Sequence, residues 1–100
     1  MSKTVHIKES YREIFPIYIN NRREEIEAIN ELLEQNNYSK IEMIAHKLAG
    51  NAGTYGVPDL GRLGKEMESA AKDRKAQQVL STLRKIEDYI TELKVEYVQG

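Results

Sequence analysis

The chain has no cysteine and no tryptophan, one phenylalanine, two prolines and six glycines in 100 residues. Without cysteine there can be no disulfide framework, no thiolate metal site and no thiol nucleophile. An excess of charge of one sign is missing too: 15 Lys and Arg stand against 16 Asp and Glu, a net charge of −1. With no basic field to hold a phosphodiester backbone, the nucleic-acid binders lose most of their claim. The opening Met-Ser-Lys-Thr-Val-His lacks the apolar run of a secretory signal, and no stretch is long enough to span a bilayer. A cytoplasmic protein without a membrane partner is expected, and the initiating Met favours a stand-alone one.

Leu, Ile, Val and Phe together number 24, just above the level of about 20% below which chains stay disordered. One modest core follows, and a single domain over residues 1–100. Long segments are rich in Glu, Lys, Arg, Leu, Ile and Ala, all good helix formers, while alternating Val, Thr and aromatic runs are missing. Four main helices are expected, after a short helical turn around residues 9–15. The first runs from Pro16 to about Glu34, with Ile19, Ile26, Ile29 and Leu33 as its buried stripe. The second opens on the capping-box spacing Ser39-Lys40-Ile41-Glu42, carries Ile41, Ile44, Ala45, Leu48, Ala52 and Tyr55 inward, and stops at Gly56. Pro58 opens the third, whose stripe is Leu60, Leu63, Met67, Ala70 and Ala71, and Asp73 is expected to cap the fourth. There Val79, Leu83, Ile86, Ile90, Leu93 and Tyr97 form an unbroken heptad seam. Long helices joined by short turns pack against their neighbours. The expected architecture is all-α, an antiparallel up-down four-helix bundle with a short N-terminal helical segment, and a monomer.

Most chemical motifs are absent. There is no phosphate-binding Gly-rich loop with Lys-Ser/Thr, no His-Glu-x-x-His and no Gly-x-Ser-x-Gly. Neither histidine follows a glutamate by three residues, as a di-iron bundle requires, so no metal and no cofactor is expected. His6, near the terminus, reads as an ordinary surface residue. His46 is different. It points roughly 150° away from the buried stripe of its helix, with Ala49, Gly50 and Gly53 on its own side at i+3, i+4 and i+7. Two glycines inside a helix cost about 1 kcal/mol each relative to alanine, and on the outer face they bury nothing in return. An early helix end at Gly50 is the alternative, but it leaves the apolar positions Ala52 and Tyr55 unexplained. A bare surface beside an exposed imidazole suits a nucleophile that another protein must reach, and an imidazole can form a covalent phosphoryl adduct.

The run from Ala45 to Gly56, with His46-x-Leu48-x-Gly50, the later Gly53, Leu60-x-x-Leu63-Gly64 and Met67-Glu68, resembles the signature of histidine-containing phosphotransfer (HPt) domains. The likeness covers about residues 14–93, and it too implies a four-helix bundle. It implies that His46 is the phosphoacceptor, modified at Nε2. The phosphoryl group would come from a receiver-domain aspartyl-phosphate of a response regulator, or from a histidine kinase, and pass to another receiver. Gly50 would let the partner approach, with Glu42, Lys47, Ala49 and Gly53 beside the phosphate or the docked partner. Ala49 stands where the family often has Lys, and Asn51 where it more usually has Ser. Lys47 lies about 100° further around the helix than His46. Such a domain is a carrier and not an enzyme, relying on its partner's Mg²⁺-dependent site. The rival readings are a non-phosphorylated adaptor for receivers or kinases and a purely structural helical domain.

Overall fold

Pro16 has no amide hydrogen to lose and a preset φ, so it fits the first turn of a helix. In the computed structural model, which describes residues 3–99, it lies in the first turn of α1 (Phe15–Glu34). The remaining helices are α2 (Tyr38–Asn51), α3 (Pro58–Lys72) and α4 (Ala76–Glu92). Contacts run from α1 to α2, α2 to α3, α3 to α4 and α4 back to α1. The four helices thus surround one core, filled by Phe15, Ile41, Leu60, Met67, Val79 and Ile86, among others. Among the described residues, no helix is long and apolar enough to cross a membrane.

The helix ends explain where the sequence reading was right and where it slipped. The cap of α2 is Asn37, whose side chain accepts the Lys40 amide at 3.3 Å; the helix starts at Tyr38, and the Ser39 capping box does not form. Asn36, at φ 55°, turns the chain out of α1, as asparagine tolerates, and leaves Asn37 positioned to cap. Asp73 is the last-turn cap of α3, not the cap of α4, which begins after Lys75 with no side-chain cap. The ladder of α2 ends at Asn51, and a turn over residues 52–56 follows. The amide of Tyr55 still reaches the Asn51 carbonyl, and that of Val57 returns to Ala52. Gly56, at φ +86°, ends the run; its position requires glycine both for that φ and because a Cβ would meet Ile7 Cδ1 at 2.8 Å. The continuous helix expected through Gly50 and Gly53 to Gly56 is therefore corrected: α2 ends at Asn51, one residue past Gly50, and Gly53 lies in the turn that leads to Gly56.

Two expectations are corrected. The heptad seam of α4 does not continue to Tyr97: the helix stops at Glu92, and β2 (Leu93–Val98) follows. It pairs in parallel with β1 (Lys3–Lys8), Val5 opposite Val95 and Ile7 opposite Tyr97. A small two-stranded sheet therefore accompanies the four helices, where only helices were expected. The expected N-terminal helical segment shrinks to one 3₁₀ turn, Glu9–Tyr11, behind the strand. Along β2, Leu93, Val95 and Tyr97 face the core and Lys94, Glu96 and Val98 face out, the period of two that a one-sided sheet requires.

The closest helix pair is the one that matters for the site. A Cβ on Gly64 would lie 2.9 Å from the Ala49 nitrogen and 3.1 Å from the Ala45 carbonyl oxygen. Gly61 faces Ala52 and the Ala49 carbonyl in the same way, at about van der Waals distance. Small residues on both sides let the α2 and α3 backbones touch. That contact fixes the face of α2 which carries His46 against α3.

Candidate functional site

His46 projects from the third turn of α2, with its side chain 75% exposed. Its partner comes from α3: Nδ1 lies 2.8 Å from Glu68 Oε2. An ionised carboxylate only accepts hydrogen bonds, so Nδ1 carries the proton and donates it. In the neutral ring that tautomer puts the lone pair on Nε2, on a side chain that is largely exposed. The pair rests on the close approach just described, because Glu68 lies one turn beyond Gly64 on α3. Sequence reasoning matched Glu68 only by its order in a motif and gave it no role. The available signal was Gly64, since a glycine that brings two helices into contact also brings the residue one turn away within reach of the neighbouring helix.

Ser39, Glu42, Met43, His46, Lys47 and Glu68 line a shallow hollow on this face. Glu42 is half-buried one turn before His46, and Met43 is 58% exposed. Lys47 is exposed and lies near enough to Glu25 of α1 to favour its ionised form. Burial nevertheless pushes the Glu25 carboxyl above its ordinary range, opposed first by Arg22, whose Nε is 2.7 Å from Glu25 Oε1. Gly50 and Gly53 are exposed, and a Cβ on either would meet nothing within 4 Å. Neither glycine is therefore needed for packing, which matches the bare surface expected beside the imidazole. Ala49 is placed differently from the expectation that grouped it with the glycines: it is half-buried, and its backbone abuts Gly61 and Gly64.

Beyond Gly50 the end of α2 is anchored by aromatic residues. Tyr18 donates from Oη to Asn51 Oδ1 at 2.5 Å and stacks on Tyr55 with ring centroids 4.0 Å apart. Burial raises the Tyr18 phenol, so the hydroxyl keeps the proton that it donates. Asn51 thus ties α2 to α1 just beyond the glycine. His6 is elsewhere, exposed on β1 and 3.5 Å from Glu96 of β2. Among the described residues, no group of three His, Cys, Asp or Glu side chains could hold a metal ion.

Comparison with curated proteins and with solved structures gives no match in either case. The sequence profile described as "Hpt domain" matches residues 13–96, from just before α1 almost to the end of β2. That span holds all four helices, His46, Glu68 and the glycines of α2 and α3, and the chain belongs to the Hpt domain family.

Proposed function

We propose that the protein is a cytoplasmic phosphoryl carrier in a two-component phosphorelay, with His46 as the phosphoacceptor. The observation that carries this reading is the His46–Glu68 pair, which occupies Nδ1 and leaves Nε2 nucleophilic at an exposed position. The frame we infer is an antiparallel up-down bundle, because the connections 35–37, 52–57 and 73–75 are too short to return a helix in the same direction. In the transfer, Nε2 attacks the phosphorus of a receiver's aspartyl-phosphate. The N–P bond forms, the P–O bond to the aspartate breaks, and the aspartate carboxylate leaves with the electron pair. The ring retains its Nδ1 proton and becomes cationic, and the Glu68 carboxylate compensates that charge as it develops. Passing the group to a second receiver reverses these bond changes. Neutralising charge on the moving phosphoryl group, with Mg²⁺ where the receiver holds it, is the partner's contribution. Incubation with a phosphorylated receiver should place acid-labile phosphate on this chain; a chain that binds the receiver and takes up no label would be an adaptor instead.

Glu68 acts as a positioning residue. Glu68→Ala should slow phosphoryl uptake on the order of tenfold, the lower end of what is lost when the carboxylate behind a metal-bound imidazole is removed. Nitrogen chemical shifts of His46 should then report a mixture of tautomers where the parent holds the proton on Nδ1. A rate loss with unchanged tautomer would remove Glu68 from this role.

Gly50 tests access. Its site is open and its φ ordinary, so Gly50→Ala should stabilise the fold by up to about 1 kcal/mol. Gly50→Gln should fold equally well yet place bulk one turn from the imidazole, and phosphoryl transfer should slow while the melting temperature holds. Transfer at the parental rate would show that the partner does not approach across this glycine.

A further inference from the structure

β2 is an unprotected strand edge. The sheet has two strands, so one side of β2 pairs with β1 and the other pairs with nothing among the described residues. Beside that free side runs a largely apolar groove lined by Phe15, Pro16 and Ile19 of α1, Ile90 of α4, and Leu93, Val95 and Tyr97 of β2, with Asn20 and Arg23 of α1 at its polar part and no residue of β1. Exposed strand edges invite pairing unless charge or proline blocks them. β1 carries lysines at both ends and no carboxylate of its own, Lys3 being paired with Asp59 of α3 at 3.2 Å and His6 facing Glu96 of β2 at 3.5 Å. β2 carries one charge of each sign on its outer face, Lys94 and Glu96.

That pattern is self-complementary. If a second β2 runs antiparallel with Val95 on the twofold axis, Leu93 faces the partner's Tyr97 on the core side. On the outer face each Lys94 lies opposite the other copy's Glu96. Opposed residues on antiparallel strands share a face, and opposite charges there stabilise the pair. Shifting the register by one residue would set core-facing against outward-facing side chains along the whole strand. The added strand would also lie over the groove and deliver its own Leu93, Val95 and Tyr97 to it. We propose that β2 is a dimerisation edge whose occupant is the β2 strand of a second copy, joined in a continuous four-stranded sheet. The monomer expected from the sequence is then the dissociated form, and this inference is independent of the phosphoryl chemistry at His46.

Sedimentation of the full chain over a concentration series tests it. The parent should move from 11.5 kDa towards twice that mass as concentration rises. Glu96→Lys and Lys94→Glu should each remain monomeric at every concentration, because each opposes like charges twice across the axis. The double variant carrying both changes restores the pairing and should dimerise like the parent. Circular dichroism should show all three variants folded. A cysteine probe gives a second reading, clean because the chain has no cysteine of its own. Val95→Cys would bring two Cα atoms to about 4.5–5.5 Å across the axis, inside the disulfide range of about 4.4–6.8 Å. It should therefore oxidise to a covalent dimer, while Val98→Cys, off the axis, should not under the same oxidant. A parent that stays monomeric throughout overturns the proposal. So does a dimer that survives both single charge changes, or a double variant that fails to recover.

Discussion

Replacing His46 with Gln is expected to abolish phosphoryl acceptance and leave the fold almost untouched. The imidazole is 75% exposed, and its hydrogen-bond partner Glu68 is 30% exposed. An exposed side chain with one solvent-accessible hydrogen bond contributes little to stability, usually within about 0.5 kcal/mol. Glutamine fits the helix well but has no nitrogen lone pair that can attack phosphorus. Acid-labile label transferred from a phosphorylated receiver should fall to background, while circular dichroism and the melting temperature stay at parental values. His6→Gln is the control: His6 is exposed on the terminal sheet beside Glu96, so label uptake should be unchanged. Label that persists without His46 would place the acceptor on another residue.

Leu83→Ala should do the reverse, damaging stability through the core. Leu83 is 3% exposed and borders the bundle interior with Ile26, Ile29, Leu48 and Met67, from three other helices. Truncation removes methyl groups from water-free packing and leaves a cavity that four helices can only partly close. The expected loss is about 2–5 kcal/mol, a large part of the total for a domain with a stability of roughly 5–15 kcal/mol. For about 100 residues each kcal/mol lowers the melting temperature by roughly 4–8 °C. The denaturant midpoint should fall with the slope unchanged. An unaltered midpoint would mean that Leu83 does not pack as described.

The helices were legible because each has a stripe that only a period of 3.6 explains, as with Leu60, Met67 and Ala71 on α3. Pro16 and Pro58 marked helix starts through local backbone chemistry that needs no knowledge of the tertiary fold, whereas Gly56 marks the close of the turn after α2 and not the end of that helix. The cap of α2 was harder, since Asn37 and Ser39 are both good caps, and only the turn at Asn36 decides between them. The end of α4 was misread for a different reason. Residues four apart share a face on a helix and on a strand alike, so Leu93 and Tyr97 could not distinguish the two. Val95 could have done so, because it faces the core with them, whereas on a helix it would point about 200° away from Leu93. β1 was invisible to local reasoning because the strand it pairs with lies ninety residues further along. His46 and its bare surroundings were readable along one helix. Glu68 was not, because its role depends on how closely a second helix approaches.

The pairing of residues 3–8 with residues 93–98 bears on the order in which the chain assembles. Helical turns form from neighbours within a fraction of a microsecond to a microsecond, but this ladder must close a loop of nearly the whole chain, and the entropy of closure grows with loop length. During synthesis β1 emerges first and has no strand to pair with until β2 has left the ribosome. Helices α1 to α3 can meanwhile collapse on one another and bring the two ends together, shortening the effective loop. The sheet is thus expected to close late, and with it Ile7, buried at 1% exposure against Gly56, reaches its place.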